Sequence, residues 1–243
     1  MSKRIAIIAA VDFELLDIAR RFSLNILKYL EPVSWDNIIL CLSGVGMINA
    51  AMATTIVAER YSPELIISAG IGGAYALSGL KIGDVAIAEQ EIYADTGVSL
   101  SEGPQDMRYL GLPLFKKNNL EFFNEIPVAK RYVDSIIAVS RGFQINTRAG
   151  NFVTVCQVSG DFKVAENRGR RYNALCENME GAAVGHVATV YGIEFIEIRG
   201  ISNFAGDRDK ARWNAKLAAE NCQKVLMEFI MLLRTKGSRE RIG

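Results

Sequence analysis

The sequence predicts an α/β fold: a single domain in three layers (α/β/α), with helices on both faces of a central mixed, twisted sheet. Three observations carry this. Short apolar runs alternate with longer segments of helical period. The first strand candidate is continuously apolar, as expected of a strand covered on both faces. No internal repeat and no Pro-, Gly- or Ser-rich linker divides the 243 residues, a length one large domain accommodates. The domain is therefore read as 1–243, with the polar segment 236–243 expected to fray.

The elements follow in order. Residues 4–10 are an unbroken apolar run and read as the first strand. Residues 12–21 suggest a short helix. Residues 38–43 form a second strand, and the Ala-rich stretch 46–60 a helix ended by Pro63. Residues 64–69 make a third strand, expected to run into a turn at Gly70-Ile71-Gly72-Gly73. Residues 84–94 follow the Gly83-Asp84 turn as another strand. Gly103, Pro104, Gly111 and Pro113 punctuate 99–118, which reads as a long surface loop. Then come a helix over 130–142, a strand over 151–159 and a small-residue helix over 181–191. A strand over 194–202 and a long helix over 211–235 complete the pattern.

Composition narrows the function. Lys and Arg number 28 against 27 Asp and Glu, a formal net charge of +1. That balance gives no basic stripe for nucleic acid and no polybasic patch for a membrane surface. No apolar run approaches the ~18 residues that span a bilayer. The four cysteines (Cys41, Cys156, Cys176, Cys222) are scattered and lack CxxC spacing, so they read as reduced core thiols in a cytoplasmic protein. A single histidine, His186, sits in an apolar helical run, and a zinc site is not expected.

Two glycine segments follow strands. Gly44-Val45-Gly46-Met47-Ile48-Asn49 nearly fits the dinucleotide pattern GxGxxG/A. The next strand, however, ends Ser68-Ala69-Gly70, without the acid that would take a ribose hydroxyl. A tight strand-to-helix turn is the better reading. Gly70-Ile71-Gly72-Gly73 would let a ligand approach the backbone closely.

Three further features sit at strand ends, where open α/β sheets place ligands. They are Glu14 after the first strand, Glu180 just before the helix over 181–191, and Arg199-Gly200-Ile201-Ser202-Asn203. A strand ending in Arg, Ser and Asn is not built for burial alone, because each polar group needs a partner. Singly, each residue has an ordinary structural use. Glu14 and Glu180 would suit first turns of helices, Arg199 an ion pair, and Asn203 a turn.

Together, and in this order, these segments resemble the nucleoside phosphorylase/nucleosidase family, in its purine nucleosidase branch. The likeness begins at Ile5-Ala6-Ile7-Ile8-Ala9-Ala10 with Glu14. It continues through Ser43-Gly44-Val45-Gly46, Ser68–Gly73, Leu80–Val85 and Ser159-Gly160-Asp161-Phe162. It ends with Asn178-Met179-Glu180-Gly181-Ala182-Ala183 and Arg199–Asn203, in which Glu180 and Asn203 stand 23 residues apart. The run Ser202–Asp209 followed by Trp213 resembles the futalosine hydrolases of that branch.

The resemblance implies a nucleoside phosphorylase-like fold and roles for named residues. Glu14 would activate water. The phosphorylases carry an arginine-bearing phosphate loop in this region, whereas a carboxylate repels phosphate and serves as a base, so hydrolysis is expected. Met179 would pack on the sugar. Glu180 would accept hydrogen bonds from the ribose 2′- and 3′-hydroxyls and stabilise the cationic transition state. Asn203 stands where adenine-releasing relatives have a proton-donating Asp. An amide donates a hydrogen bond but no proton, which fits the acceptors N7 and O6 of a 6-oxopurine. Ser202 and Arg199 would orient Asn203 and the Glu180 side. Ile71, Gly72 and Gly73 would line the floor, Phe162 would stack on the purine, and Trp213 would lie near the base or the 5′ substituent. A benzoate-bearing substrate would want a cation, with Arg108, Lys116, Lys117 and Arg208 as open choices.

The implied activity is hydrolysis of the N-glycosidic bond of a 6-oxopurine nucleoside. Release of hypoxanthine from futalosine, in an alternative menaquinone route, fits best. A methylthioadenosine/S-adenosylhomocysteine nucleosidase and a non-catalytic nucleoside-binding protein stand as alternatives. No metal or organic cofactor is implied. The partners implied are a small purine nucleoside and further copies of the chain, as a homodimer or dimer-based oligomer. Helix 46–58 is the candidate face, with Tyr93–Gly97 and the loop 99–118 near a neighbouring subunit.

Overall fold

A computed structural model describes residues 3–24 and 28–239. In chain order the strands are β1 (Ile5–Ala9), β2 (Val33–Trp35), β3 (Ile38–Leu42), β4 (Leu65–Ala74), β5 (Val85–Tyr93), β6 (Val98–Leu100), β7 (Gly103–Gln105), β8 (Phe115–Lys117), β9 (Leu120–Phe122), β10 (Glu125–Pro127), β11 (Thr147–Thr154), β12 (Ala174–Asn178) and β13 (Glu194–Phe204). The helices are α1 (Leu16–Arg21), α2 (Met47–Tyr61), α3 (Met107–Leu110), α4 (Val133–Arg141), α5 (Phe162–Tyr172), α6 (Gly181–Tyr191) and α7 (Ala215–Arg239).

Nine of these strands form one mixed sheet, ordered β10-β5-β11-β12-β4-β1-β3-β2, with β13 bonded to both β4 and β5. The added pairings close β4, β13, β5, β11 and β12 into a five-strand ring. Alternation along β1 explains the layers. Ile5, Ile7 and Ala9 face a core shared with α1, α4 and α7. Ala6 and Ile8 face the opposite core, against α2 and α6. Each fully buried Ile contributes about 2–3 kcal/mol of apolar burial, so β1 is anchored from both sides. A third cluster, with Phe152 and Leu175, belongs to the ring.

The cleft starts where β4 changes neighbours. It pairs with β1 through Ser68 and with β12 from Gly73. Between those points one edge of β4 is free of strand pairing, while β13 covers the other. The expected turn at Gly70–Gly73 is therefore a continuation of the strand. A missing side chain, not a bend, explains Gly70: a Cβ there would lie 2.5 Å from Glu14 Oε1 and 2.8 Å from Arg199 Nη1.

Other expectations are also corrected. The segment 99–118 is not a plain loop: it holds β6/β7, α3 and strand β8 of the β8/β9 hairpin. Asn118 and Asn119 both have positive φ, 48° and 62°, the backbone of a tight two-residue hairpin turn. The sequence reading left α5 and β12 unassigned. In α5 the polar composition hides a narrow buried stripe at Ala165 and Gly169, and Asp161 caps its start by accepting from Val164 N at 2.9 Å. The strand expected over 151–159 lies at Thr147–Thr154. Cys156, beyond its end, is exposed, while the other three cysteines are buried. Helix α7 is bounded by Ala215 and Arg239, and residues 240–243 lie outside the described residues. No described helix is long and apolar enough to cross a membrane.

Candidate active site

Glu14 is placed by a single turn. Val11 is extended, Asp12–Glu14 form a 3-10 turn, and the Glu14 side chain folds back on the strand end. Its Oε2 accepts from Ala10 N at 3.0 Å and Val11 N at 3.1 Å. Its Oε1 accepts from Ile71 N at 2.8 Å, on the free edge of β4. The residue is 4% exposed. Burial raises its pKa above the usual carboxylate value, more than the opposing Arg199 charge and the Ile71 hydrogen bond lower it.

Glu180 precedes α6 but does not cap it. Asn178 Oδ1 accepts from Glu180 N and Gly181 N at 2.9 and 2.7 Å, and Thr154 Oγ1 from Ala182 N at 2.8 Å. With those helix-start donors satisfied elsewhere, the Glu180 side chain turns to the cleft. Its Oε1 accepts from Gly46 N at 2.9 Å. The 44–49 glycine segment thus presents an amide to Glu180. Gly44 and Gly46 hold φ of +84° and +96° there, a region that favours glycine.

Asn203 is fixed at both ends of its amide. Ser202 Oγ donates to Oδ1 at 2.7 Å, and Nδ2 donates to Phe204 O at 2.9 Å. The carbonyl partner decides which end is the NH2. One Nδ2 hydrogen is then left for a ligand.

These residues share one cleft of about 280 Å³. Glu14, Ile71, Gly72, Gly73, Met179, Glu180, Ser202, Asn203 and Trp213 all line it. At the rim Trp213 Nε1 donates to Asp207 O at 3.0 Å, and the Arg208 guanidinium lies 4.9 Å from the Trp213 ring centroid. Arg212 binds Asp207 at 2.6 Å, and Arg208 makes no ion pair among the described residues.

Two residues are placed differently from the sequence reading. Phe162 opens α5, is 57% exposed, and lines a neighbouring groove with Tyr75 and Leu77 instead of the cleft. As the first helical residue after the Asp161 cap, it is directed away, and Val158 lines the cleft from that segment. Arg199 does not reach the cleft surface either. It is 1% exposed beneath the floor. Its shortest contact is Nε to Glu197 Oε1 at 2.8 Å, with Ser68 Oγ at 3.1 Å and Glu180 Oε2 at 3.4 Å. It supports the Glu180 side and has no contact with Asn203.

The sequence reading gave no site role to Glu177 and Val45, which also line the cleft, as does Arg208, one of its four candidate cations. Glu177 ties down the segment between β11 and α5, accepting from Ser159 N and Ser159 Oγ at 2.9 and 2.6 Å, and it also accepts from Tyr75 OH at 3.1 Å. A second acid beside Glu180 at a strand end was its available signal. His186 lies apart, stacked on Phe115 with centroids 4.2 Å apart. Of the other candidate cations, Arg108 and Lys116 are paired with acids, and Lys117 donates to the Thr189 carbonyl. Among the described residues no group of three or more His, Cys, Asp or Glu is arranged to hold a metal ion.

With this geometry in place, comparison with known proteins is informative. The family model described as "Phosphorylase superfamily" matches residues 4–231. The chain belongs to the phosphorylase superfamily. Among curated members, a futalosine hydrolase from Thermus thermophilus is 34% identical over 199 residues, covering 82% of each chain. A 5′-methylthioadenosine/S-adenosylhomocysteine nucleosidase from Oceanobacillus iheyensis is 29% identical over 199 residues, covering 80% of this chain and 81% of its own. Among solved superfamily structures, the native futalosine hydrolase of Helicobacter pylori has a TM-score of 0.74 at 20% identity, over 95% of this chain and 98% of that one. A putative nucleosidase of the methylthioadenosine type from Francisella philomiragia gives 0.75 at 21% identity, over 94% and 98%. At those identities the structural likeness speaks for the fold.

Proposed function

We propose that this chain is a nucleosidase that hydrolyses a 6-oxopurine nucleoside, futalosine, to hypoxanthine and dehypoxanthine futalosine. The coarser statement has the broader support: the chain is an enzyme of the nucleosidase type, and its curated relatives are named nucleosidases and hydrolases. The observation that carries the finer reading is the fixed amide of Asn203, which offers one N–H and no proton to the base.

In this reading water attacks C1′ while the bond from C1′ to purine N9 breaks. Glu14, ionised, takes a proton from the water. Its raised pKa makes it a stronger base than an exposed carboxylate. The ribose 2′- and 3′-hydroxyls donate to Glu180, and the negative charge stabilises the cationic sugar as it forms. Met179 packs beside the sugar. The electron pair leaves with the purine, and the free Asn203 N–H stabilises it at N7 or O6. Departure of a 6-oxopurine needs less help than departure of adenine, so an amide suffices where the adenine-releasing relatives carry an acid. Arg208 on Trp213 at the rim suits the carboxylate of a benzoate-bearing 5′ substituent.

Relatives named methylthioadenosine/S-adenosylhomocysteine nucleosidases, at 26–29% identity, keep that activity as the second reading. The deciding experiment is chromatography of released purine in phosphate-free buffer. The substrates are futalosine, its 6-amino analogue, inosine and methylthioadenosine. Hypoxanthine released fastest from futalosine is expected. Fast adenine release from methylthioadenosine would move the assignment to the second reading.

The proposed assembly is a homodimer or a dimer-based homo-oligomer in the cytoplasm. Ile48 and Met52 on α2 are 79% and 47% exposed, and Val190 and Tyr191 on α6 are 48% and 42% exposed. Ile48 and Met52 stand on the first turns of α2, next to Val45 at the cleft, while Tyr191 lies at the other end of α2, where its hydroxyl bonds Glu59. A monomeric mass by light scattering would count against it.

A further inference from the structure

Arg199 takes its shortest hydrogen bond from a residue the chemistry above does not use. Glu197 is wholly buried, two residues before Arg199 on β13, and offers Oε1 to Arg199 Nε at 2.8 Å. Its Oε2 is buried and receives no hydrogen from any N–H or hydroxyl. The carboxylate fills the space that Gly181 leaves by lacking a side chain: a Cβ there would lie 2.0 Å from Oε2 and 2.3 Å from Oε1. A buried carboxylate oxygen without a donor is costly.

The neighbour within hydrogen-bonding reach of Glu197 is another carboxyl, Glu91 of β5, also wholly buried. Glu91 Oε2 accepts from Ile92 N at 2.8 Å, and Oε1 accepts from Asn178 Nδ2. Two ionised carboxylates cannot hydrogen-bond to each other; a carboxylic acid and a carboxylate can. The charge balance agrees. Glu14, Glu180, Glu197 and Glu91 gather around one guanidinium, Arg199. The remaining titratable neighbours, Tyr93 and Cys176, are held neutral by burial and add no positive charge.

We propose that Glu91 is a positioning residue kept as the neutral acid, that its proton bridges to Glu197, and that this pair sets Arg199 and Asn178, which in turn hold Glu180. The proton supplies the donor that Glu197 Oε2 lacks and removes one negative charge from a dry interior. Glu91 also fixes the Asn178 amide: Nδ2 points to Glu91, so Oδ1 faces the N–H groups of Glu180 and Gly181. Burial and the Glu197 charge both push the Glu91 carboxyl well above the usual range, in agreement with the geometry. The two groups share one proton and titrate as a pair.

The proposal rests on the reading of Glu180 as the ribose anchor for its effect on catalysis, but not for the existence of the pair. Infrared difference spectroscopy at mildly alkaline pH, without substrate, tests the pair. A protonated-carboxyl C=O band is expected in the wild type and is lost in Glu91→Gln, which keeps a neutral donor of the same shape. Kinetics test the positioning. Glu91→Gln should keep kcat/KM within about threefold, whereas Glu91→Ala should lose at least about tenfold, since it strands Glu197 Oε2 and the Asn178 amide. If Glu91→Ala does not fold, Glu91→Gln still decides. A band that survives in Glu91→Gln overturns the proposal. So does a tenfold loss in Glu91→Gln with the melting temperature unchanged. A wild type that hydrolyses no nucleoside would instead overturn the hydrolase reading, and the infrared result would stand apart from it.

Discussion

At the floor of the cleft each functional group is held by several others. Glu14 accepts three backbone N–H groups, and Glu180 is set by Gly46, Arg199 and the Asn178-capped start of α6. At the rim, Arg208 is exposed and rests on one ring, while Trp213 is pinned by a single indole bond. In the proposed reaction the floor is preorganised for the charge that develops, and such placement is worth most where water is excluded. In the same proposal the rim contacts a part of the substrate that does not react. Changes at the floor should therefore appear in kcat, and changes at the rim in KM.

The strongest test of that division is Glu14→Gln. Its kcat should fall by about a hundred- to ten-thousandfold, while calorimetry still finds the product purine bound with wild-type affinity. Retained turnover would remove Glu14 as the base. Glu180→Gln comes next, with kcat/KM lower by about a hundred- to a thousandfold and most of the loss in kcat. A change confined to KM would make Glu180 a simple binding group. Arg208→Ala should raise KM about tenfold for a nucleoside with an anionic 5′ group and leave inosine unaffected. Equal effects on both substrates would break the assignment of the rim to the 5′ end. Asn203→Asp, at the junction of floor and rim, should shift the ratio of 6-oxo to 6-amino turnover by about tenfold toward 6-amino; an unchanged ratio would take base reading away from Asn203.

The pH profile sharpens the same contrast. Glu14, the proposed base, would act when ionised, and burial raises its pKa from the ordinary 4.5. As pH falls through that raised value the proton returns and kcat/KM declines. The acid limb should lie above the ordinary carboxylate range and disappear from the residual activity of Glu14→Gln. A limb at the ordinary value would assign it to a different, exposed group.

The fold was legible where hydrophobicity speaks plainly. The uninterrupted runs of β1 and β3 and the small-residue helices α2 and α6 sit close to where their patterns put them. It was less legible where the cause is a distant side chain. Gly70 through Gly73 read as a turn because nothing local reveals that Glu14 and Arg199 need the space that Gly70 leaves in a strand. The α5 helix escaped because its buried stripe consists of an alanine and a glycine, which carry little hydrophobic signal. The site shows the same division. Motif order located the residues of the cleft, but it could not separate Arg199, under the floor, from residues at the surface. Nor could it see that capping by Asp161 turns Phe162 away. Glu91 and Glu197 stand in strands where period alone expects apolar residues, and only their meeting across the ring gives them a common purpose.

The free edge of β4 has one more consequence. Ile71 N–H is a main-chain donor whose acceptor is Glu14, not another strand. Its nuclear magnetic resonance frequency must therefore follow the charge on that carboxylate. A solvent-pH series on the isotope-labelled protein would read the ionisation of the reacting group from the backbone, with no substrate present and no residue replaced. The strand carries, in effect, its own indicator.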